Sequence, residues 1–177
     1  MKKLFASLFA AALLIPQVAH AGEMDDHEYL WDTLQDVGVT ISVNSKIHCN
    51  DDADGYYNTL SALLVVCQDN MGTPGVQVAW TDNDLDTLRH EAHHVVQDCA
   101  VGALADGETG LFFHDKEDYD EFVLGVMDKD TANDIFNVYR KNGASELHAK
   151  QEVEAFAVAS AIDARTIANK VNEFCNI

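Results

Sequence analysis

The chain has 177 residues, with 11 basic against 30 acidic side chains and a formal net charge of −19 at pH 7. A surface that negative repels phosphate backbones, which argues against nucleic-acid binding. Hydrophobic residues make up 47% of the chain, enough for the core of a single domain, and past the N-terminal region no apolar run approaches the roughly 18 residues of a membrane span.

Residues 1–21 read as a secretory signal. Lys2 and Lys3 form the charged start, Leu4 to Ile15 the apolar middle, and Ala19-His20-Ala21 the small-x-small cleavage site. The expectation is therefore a secreted or periplasmic protein, free of the membrane once cleaved, with residues 22–177 as one domain. Loss of Lys2 and Lys3 makes the mature chain more acidic still. Four cysteines remain, Cys49, Cys67, Cys99 and Cys175, and an even count in an exported chain implies two disulfides with three connectivities open. The pairing favoured here is Cys49–Cys67, stapling neighbouring strands, and Cys99–Cys175, tying the end of a central helix to the C-terminus.

In chain order, Leu30, Trp31, Leu34 and Val37 recur at helical spacing over Asp25 to Asp36, and Gly38 stops that helix. Val39 to Val43 alternates as a half-buried strand does, and Ala62 to Cys67 is a continuous apolar run suited to a central strand. Between them, Asn50, Asp52 and Asp54 before Gly55 resemble the start of an EF-hand loop. Ser61 stands where the bidentate Glu belongs, so only a weak Ca²⁺ site is expected within a polar loop. A turn at Met71 to Gly75 leads into a third expected strand, Val76 to Trp80.

The next helix carries the chemistry. Over Asp84 to Cys99, Leu85, Leu88, Ala92, Val95, Val96 and Cys99 form one apolar stripe, with Thr81 and Asp84 as a capping box. His90 and His94 fall on the opposite side, four residues apart, with Glu91 between them in an H-E-x-x-H pattern. Two imidazoles one turn apart can reach one metal ion, and an adjacent carboxylate can take a proton from activated water. His93 is the spare histidine, expected to pack or hydrogen-bond.

The second half is helical throughout: Lys116 to Met127, Thr131 to Asn142 ended by Gly143, Ser145 to about Ser160, and Asp163 to Phe174, the last two separated by a capping box at Ser160 to Asp163. The predicted fold is α+β: a small antiparallel or mixed sheet of about three strands packed on the motif helix, then an all-helical half. That half should supply the third ligand, for which Glu154, Glu152 and His148 compete.

H-E-x-x-H followed downstream by a helical Glu-Ala resembles the gluzincin branch of the zincin metallopeptidases. The resemblance implies Zn²⁺ bound by His90, His94 and Glu154, with Glu152 as runner-up and Glu91 as general base. It also implies a peptide or protein substrate lying along an edge strand, here Val76 to Trp80, and a zincin-like fold. Val158 occupies the position of the acid that supports a histidine in some members, and Gln97 and Ala100 exclude the metzincin extension. Tyr119, Tyr139, His114 and His148 are candidates to donate to the oxyanion. His27, His48 and His114 stand alone, and no G-x-S-x-G or phosphate-binding loop occurs. A non-catalytic zinc-binding module and a hydrolase of non-peptide, cell-wall amides are the rival functions. Nothing in the sequence points to a particular oligomer.

Overall fold

The computed structural model describes the backbone of residues 16–49 and 53–175, with side chains from residue 22. Most of the expected signal, residues 1–15, lies outside the described residues, as do Asn50 and Asp52 of the expected Ca²⁺ loop. The protein is α+β and mostly helical. Its elements are α1 (Pro16–Asp36), β1 (Thr40–Val43), β2 (Gly55–Asn58), β3 (Leu63–Val66), α2 (Asp82–Cys99), α3 (Lys116–Val126), α4 (Lys129–Lys141), α5 (Glu146–Ala161) and α6 (Ala164–Cys175). Helix α1 thus begins well before the predicted start at Asp25, so the expected cleavage site falls inside it. It ends as expected at Gly38, whose φ of +100° suits the left-handed turn.

The three strands form a mixed sheet in the order β1-β3-β2, with β3 central as its apolar run predicts. Strand β1 runs parallel to β3 and β2 antiparallel to it. The third strand is not the expected Val76 to Trp80 but Gly55–Asn58. Residues 76–80 lie extended outside the sheet because side-chain amides take their backbone groups. Asn44 Nδ2 donates to the Val76 carbonyl at 2.8 Å, and Gln68 brackets Val78, accepting from its N–H at 2.8 Å and donating to its carbonyl at 3.1 Å. Once those groups are satisfied, a ladder hydrogen bond has nothing to add.

Helix α2 is the axis of the molecule. The predicted capping box is present: Asp84 N–H donates to Thr81 Oγ1, and Asp84 Oδ2 accepts from the Thr81 N–H. Its apolar stripe, Leu85, Leu88, Ala92, Val95, Val96 and Cys99, is buried as expected. Leu30 and Leu34 of α1, Leu64 and Val66 of β3, and Ile167, Ala168 and Val171 of α6 complete that core. A satellite core of Val123, Val153 and Ala157 joins α3 to α5, with Ile135 and Phe136 of α4 against it. Helix α6 is capped by Asp163, which accepts from the Thr166 N–H and hydroxyl, rather than by a box beginning at Ser160.

Both favoured disulfides are present, Cys49–Cys67 and Cys99–Cys175, and no free cysteine remains. Disulfides persist in oxidising compartments. Among the described residues no helix is long and apolar enough to cross a membrane.

Candidate metal centre

The face of α2 opposite its apolar stripe is also buried, because β2 and α5 close over it. His90, Glu91, His93, Gln97 and Asp98 are all under 9% exposed. On the sheet side, two contacts lay β2 along the helix. Tyr57 Oη donates to Asp98 Oδ2 at 2.6 Å, and burial followed by this acid pushes the phenol's pKa up. Gly55 crosses so closely that a Cβ there would stand 2.6 Å from the Val65 carbonyl oxygen and 2.7 Å from Thr87 Cγ2. The Asp54 carbonyl accepts from Cys67 N–H, so by antiparallel alternation the backbone groups of Gly55 and Tyr57 point away from β3. The Tyr57 N–H faces the Glu91 carboxylate and favours its charged form.

On the other side stands α5, and here the two competing glutamates separate. Residues two apart on a helix point in nearly opposite directions, about 200°. Glu152 faces the imidazole pair: its Oε2 lies 3.2 Å from His90 Nε2 and 3.5 Å from His94 Nε2, and the two Nε2 atoms are 3.2 Å apart. Glu154, the acid that the resemblance nominates, does not reach the pair. It is fully buried behind α2, where its Oε1 accepts from His93 Nε2 at 2.7 Å, Gln97 Nε2 at 2.9 Å and Phe112 N–H at 3.0 Å, and its Oε2 from Phe113 N–H at 3.3 Å. Four donors hold it there, away from the imidazole pair. Burial opposes the charge of Glu154, but His93 and these donors outweigh it and lower its pKa.

The donor atoms of His90, Glu91 and His94 all lie within 4.8 Å of one another, a group that could hold a metal ion. With Glu152 included, three donor atoms form a triangle of 3.2, 3.2 and 3.5 Å. These spacings are close to the roughly 3.3–3.4 Å that separates neighbouring donors at about 2.0–2.1 Å around one tetrahedral metal ion. The supports of the two imidazoles differ. His94 Nδ1 is 2.7 Å from Gln97 Oε1. His90 Nδ1 is buried with no hydrogen-bond partner among the described residues, and its ring is held by packing, 4.5 Å from Phe156 and 4.8 Å from His94 between centroids.

The electrostatics follow from burial and from Glu152. Burial pushes His90 down to about 4 against the pull of Glu152. Burial also disfavours charge on His94, but Glu152 and Glu91 outweigh it and hold that imidazole up to about 9. The same two histidines keep Glu152 far below the usual carboxylate range despite its burial. Glu91 is raised by burial to about 7, Glu152 adding to the effect and His94 opposing it.

Two cavities open onto these residues. One, of about 600 Å³, runs between β2 and the start of α5, past Tyr56, His94, Leu147 and His148. The other, of about 360 Å³, lies on the His90 side between Asp54, Thr87 and Phe156. Tyr139 lines both, with its hydroxyl turned toward Glu152. His148 Nε2 sits 2.9 Å from Glu152 Oε1, beside the candidate ligand rather than in its place. Of the other candidate donors, Tyr119 Oη is committed to the Lys150 carbonyl at 3.1 Å and His114 is exposed outside both cavities.

Gln97, Gly55 and Phe156 are parts of this centre that the motif does not advertise. Gln97 alone carries a usable sequence signal, being three residues after His94 and so on the same helix face. No family model, curated protein or solved structure matches the chain.

Proposed function

We propose that the protein is an exported zinc-dependent peptidase in which His90, His94 and Glu152 hold the metal and Glu91 is the general base. The observation that carries this reading is the triangle of two imidazole nitrogens and one carboxylate oxygen at the mutual spacing of zinc ligands, beside a further buried carboxylate and an open cleft. Zinc held there supplies a Lewis acid that acidifies water and polarises a carbonyl.

Glu91 accepts the proton of the attacking water and returns it to the leaving amine. Tyr139, at the junction of the two cavities, is the donor placed to meet the oxyanion, with His148 behind it on Glu152. The edge available to an extended peptide is β2 in place of residues 76–80, since β2 is the strand that borders the cleft. The resemblance to the zincins supports this reading through the H-E-x-x-H helix and a downstream helical glutamate, which here is two residues earlier than the resemblance implies.

The test uses the chain without its signal segment. Zinc should bind in a 1:1 ratio, and a peptide library should be cleaved, with activity lost to a chelator and restored by zinc. Glu91→Gln should keep zinc and lose about 10²- to 10⁴-fold in turnover. Bound zinc without cleavage of any peptide would leave a binding module. Cleavage undiminished by Glu91→Gln would remove this base from the mechanism.

A further inference from the structure

Glu154 and Gln97 are buried polar groups that the proposed chemistry does not use. Gln97 is 0% exposed, and every polar atom of its side-chain amide is engaged. Its Nε2 donates to the Gln151 carbonyl at 3.1 Å and to Glu154 Oε1 at 2.9 Å. Both partners are acceptors only, so the amide has one permitted orientation: the reverse would set Oε1 against a carbonyl and a carboxylate. With the nitrogen so fixed, Oε1 faces His94 Nδ1 at 2.7 Å, where it can only accept. His94 Nδ1 must therefore carry the proton, and in the neutral ring the lone pair then belongs to Nε2, the atom that faces His90 and Glu152.

Glu154 is in turn locked by His93 Nε2 and by the backbone N–H groups of Phe112 and Phe113. The chain of bonds therefore starts in the loop before α3, passes through Glu154 and Gln97, and ends on one ring nitrogen of the centre. His90 has no counterpart to this chain, since its Nδ1 has no hydrogen-bond partner among the described residues and its ring packs on Phe156.

We infer that Gln97, oriented by Glu154, is the positioning residue that sets the tautomer and ring angle of His94. This inference builds on the proposed metal site but has a readout that does not need metal. Polar partners of this kind change metal affinity by about 10- to 100-fold when removed.

The experiment compares the wild type with Gln97→Met, which keeps the volume and removes the acceptor, and with Gln97→Leu, which removes it in a branched side chain. Either variant leaves His94 Nδ1 and Glu154 Oε1 without their bonds to position 97. Two quantities are measured on folded, disulfide-bonded protein: the NMR resonance of the His94 Nδ1 proton, and the zinc dissociation constant by chelator competition. The wild type should show a slowly exchanging Nδ1 proton. Both variants should lose it and bind zinc about 10- to 100-fold more weakly.

A folded Gln97→Met that keeps the proton resonance, or binds zinc within about twofold of wild type, overturns the inference; the expected loss is at least tenfold. If the wild type binds no zinc, the metal reading fails, and the Nδ1 resonance in wild type and variant still decides the role of Gln97. If neither variant folds, the wild type decides: a folded wild type whose His94 Nδ1 carries no slowly exchanging proton overturns it.

Discussion

At the scale of single residues, the centre depends on a position with no side chain. Gly55 lets β2 lie against Thr87 and Glu91, and the obstacle to a larger residue is the Val65 carbonyl, a backbone atom of the neighbouring strand that cannot swing aside. Gly55→Ala should therefore push β2 off α2, stretching the Tyr57–Asp98 hydrogen bond and moving the Tyr57 N–H from Glu91. Overpacking of this kind costs about 1–3 kcal/mol, to be read from the denaturant midpoint at unchanged m-value. A midpoint equal to wild type would mean that the strand has slack that the close contacts do not suggest. The glutamates teach a related lesson. Glu152 and Glu154 both precede a run of apolar residues, and both are buried, so composition treats them alike. What separates them is helical phase. Glu152 shares a face with His148 four residues earlier, and Glu154 shares one with Gln151 three residues earlier. Which face meets the imidazole pair is decided by packing, and the Glu before Ala that the resemblance nominates lies on the other one.

At the scale of elements, the helices were legible to within a turn wherever an apolar stripe ended at a cap or a glycine. Asp84 to Cys99 became Asp82–Cys99, and Ser145 to Ser160 became Glu146–Ala161 capped by Ser145. The apolar core strand β3 was legible for the same reason. The edge strand was not. Gly55–Asn58 sits in a polar stretch, and only the pair Tyr56-Tyr57 favours a strand there, whereas Val76 to Trp80 has strand composition but spends its backbone groups on Asn44 and Gln68. The joint between α1 and α2 yields a prediction of its own. Arg89 Nη1 donates to His27 Nε2 at 2.9 Å, and His27 Nδ1 lies 2.7 Å from the Glu23 carbonyl, so the ring is neutral with its proton on Nδ1. Arg89 also pairs with Asp86 and with the Glu23 carboxylate. Burial, and then the Arg89 charge, hold the His27 pKa below its ordinary value against the pull of Glu23. The unfolded chain takes up this proton first as pH falls below about 6.5, so His27 contributes stability above that pH and loses it on acidification until the folded ring is protonated too. His27→Gln should remove that component. The stability difference between wild type and variant should shift against the wild type between pH 7 and pH 5. A pH-independent difference in denaturant midpoints would show that the ring keeps its ordinary pKa.

At the scale of the whole molecule, charge becomes an argument about substrates. The formal charge of −19 is not spread away from the cleft: both cavities are lined by acids, Asp54, Asp86, Glu91 and Glu152, and neither has a lysine or arginine in its wall. Asp86 is balanced by Arg89 behind it, whereas Asp54, at the entrance to β2, is not paired with any cation in the described ion pairs. A protein of this net charge, with Asp54 at the rim of its cleft, draws in oppositely charged solutes, and steering of this kind raises association rates by about 10- to 10³-fold. Under the proposed peptidase activity, peptides flanked by lysine or arginine should be cleaved with a higher kcat/KM than neutral ones of the same core sequence, and acidic peptides with a lower one. The advantage is long-range, so it should shrink with ionic strength as the screening length falls from about 10 Å at 0.1 M salt to about 3 Å at 1 M. The measurement is a salt series on three peptides that share one scissile sequence and differ only in flanking charge. Convergence of the three kcat/KM values at high salt, with kcat little changed, is the expected outcome. Three parallel salt dependences would mean that the acids around the cleft serve solubility alone and that selection of substrate lies in the direct contacts of Leu147, Tyr56 and Phe156 with side chains in the two cavities.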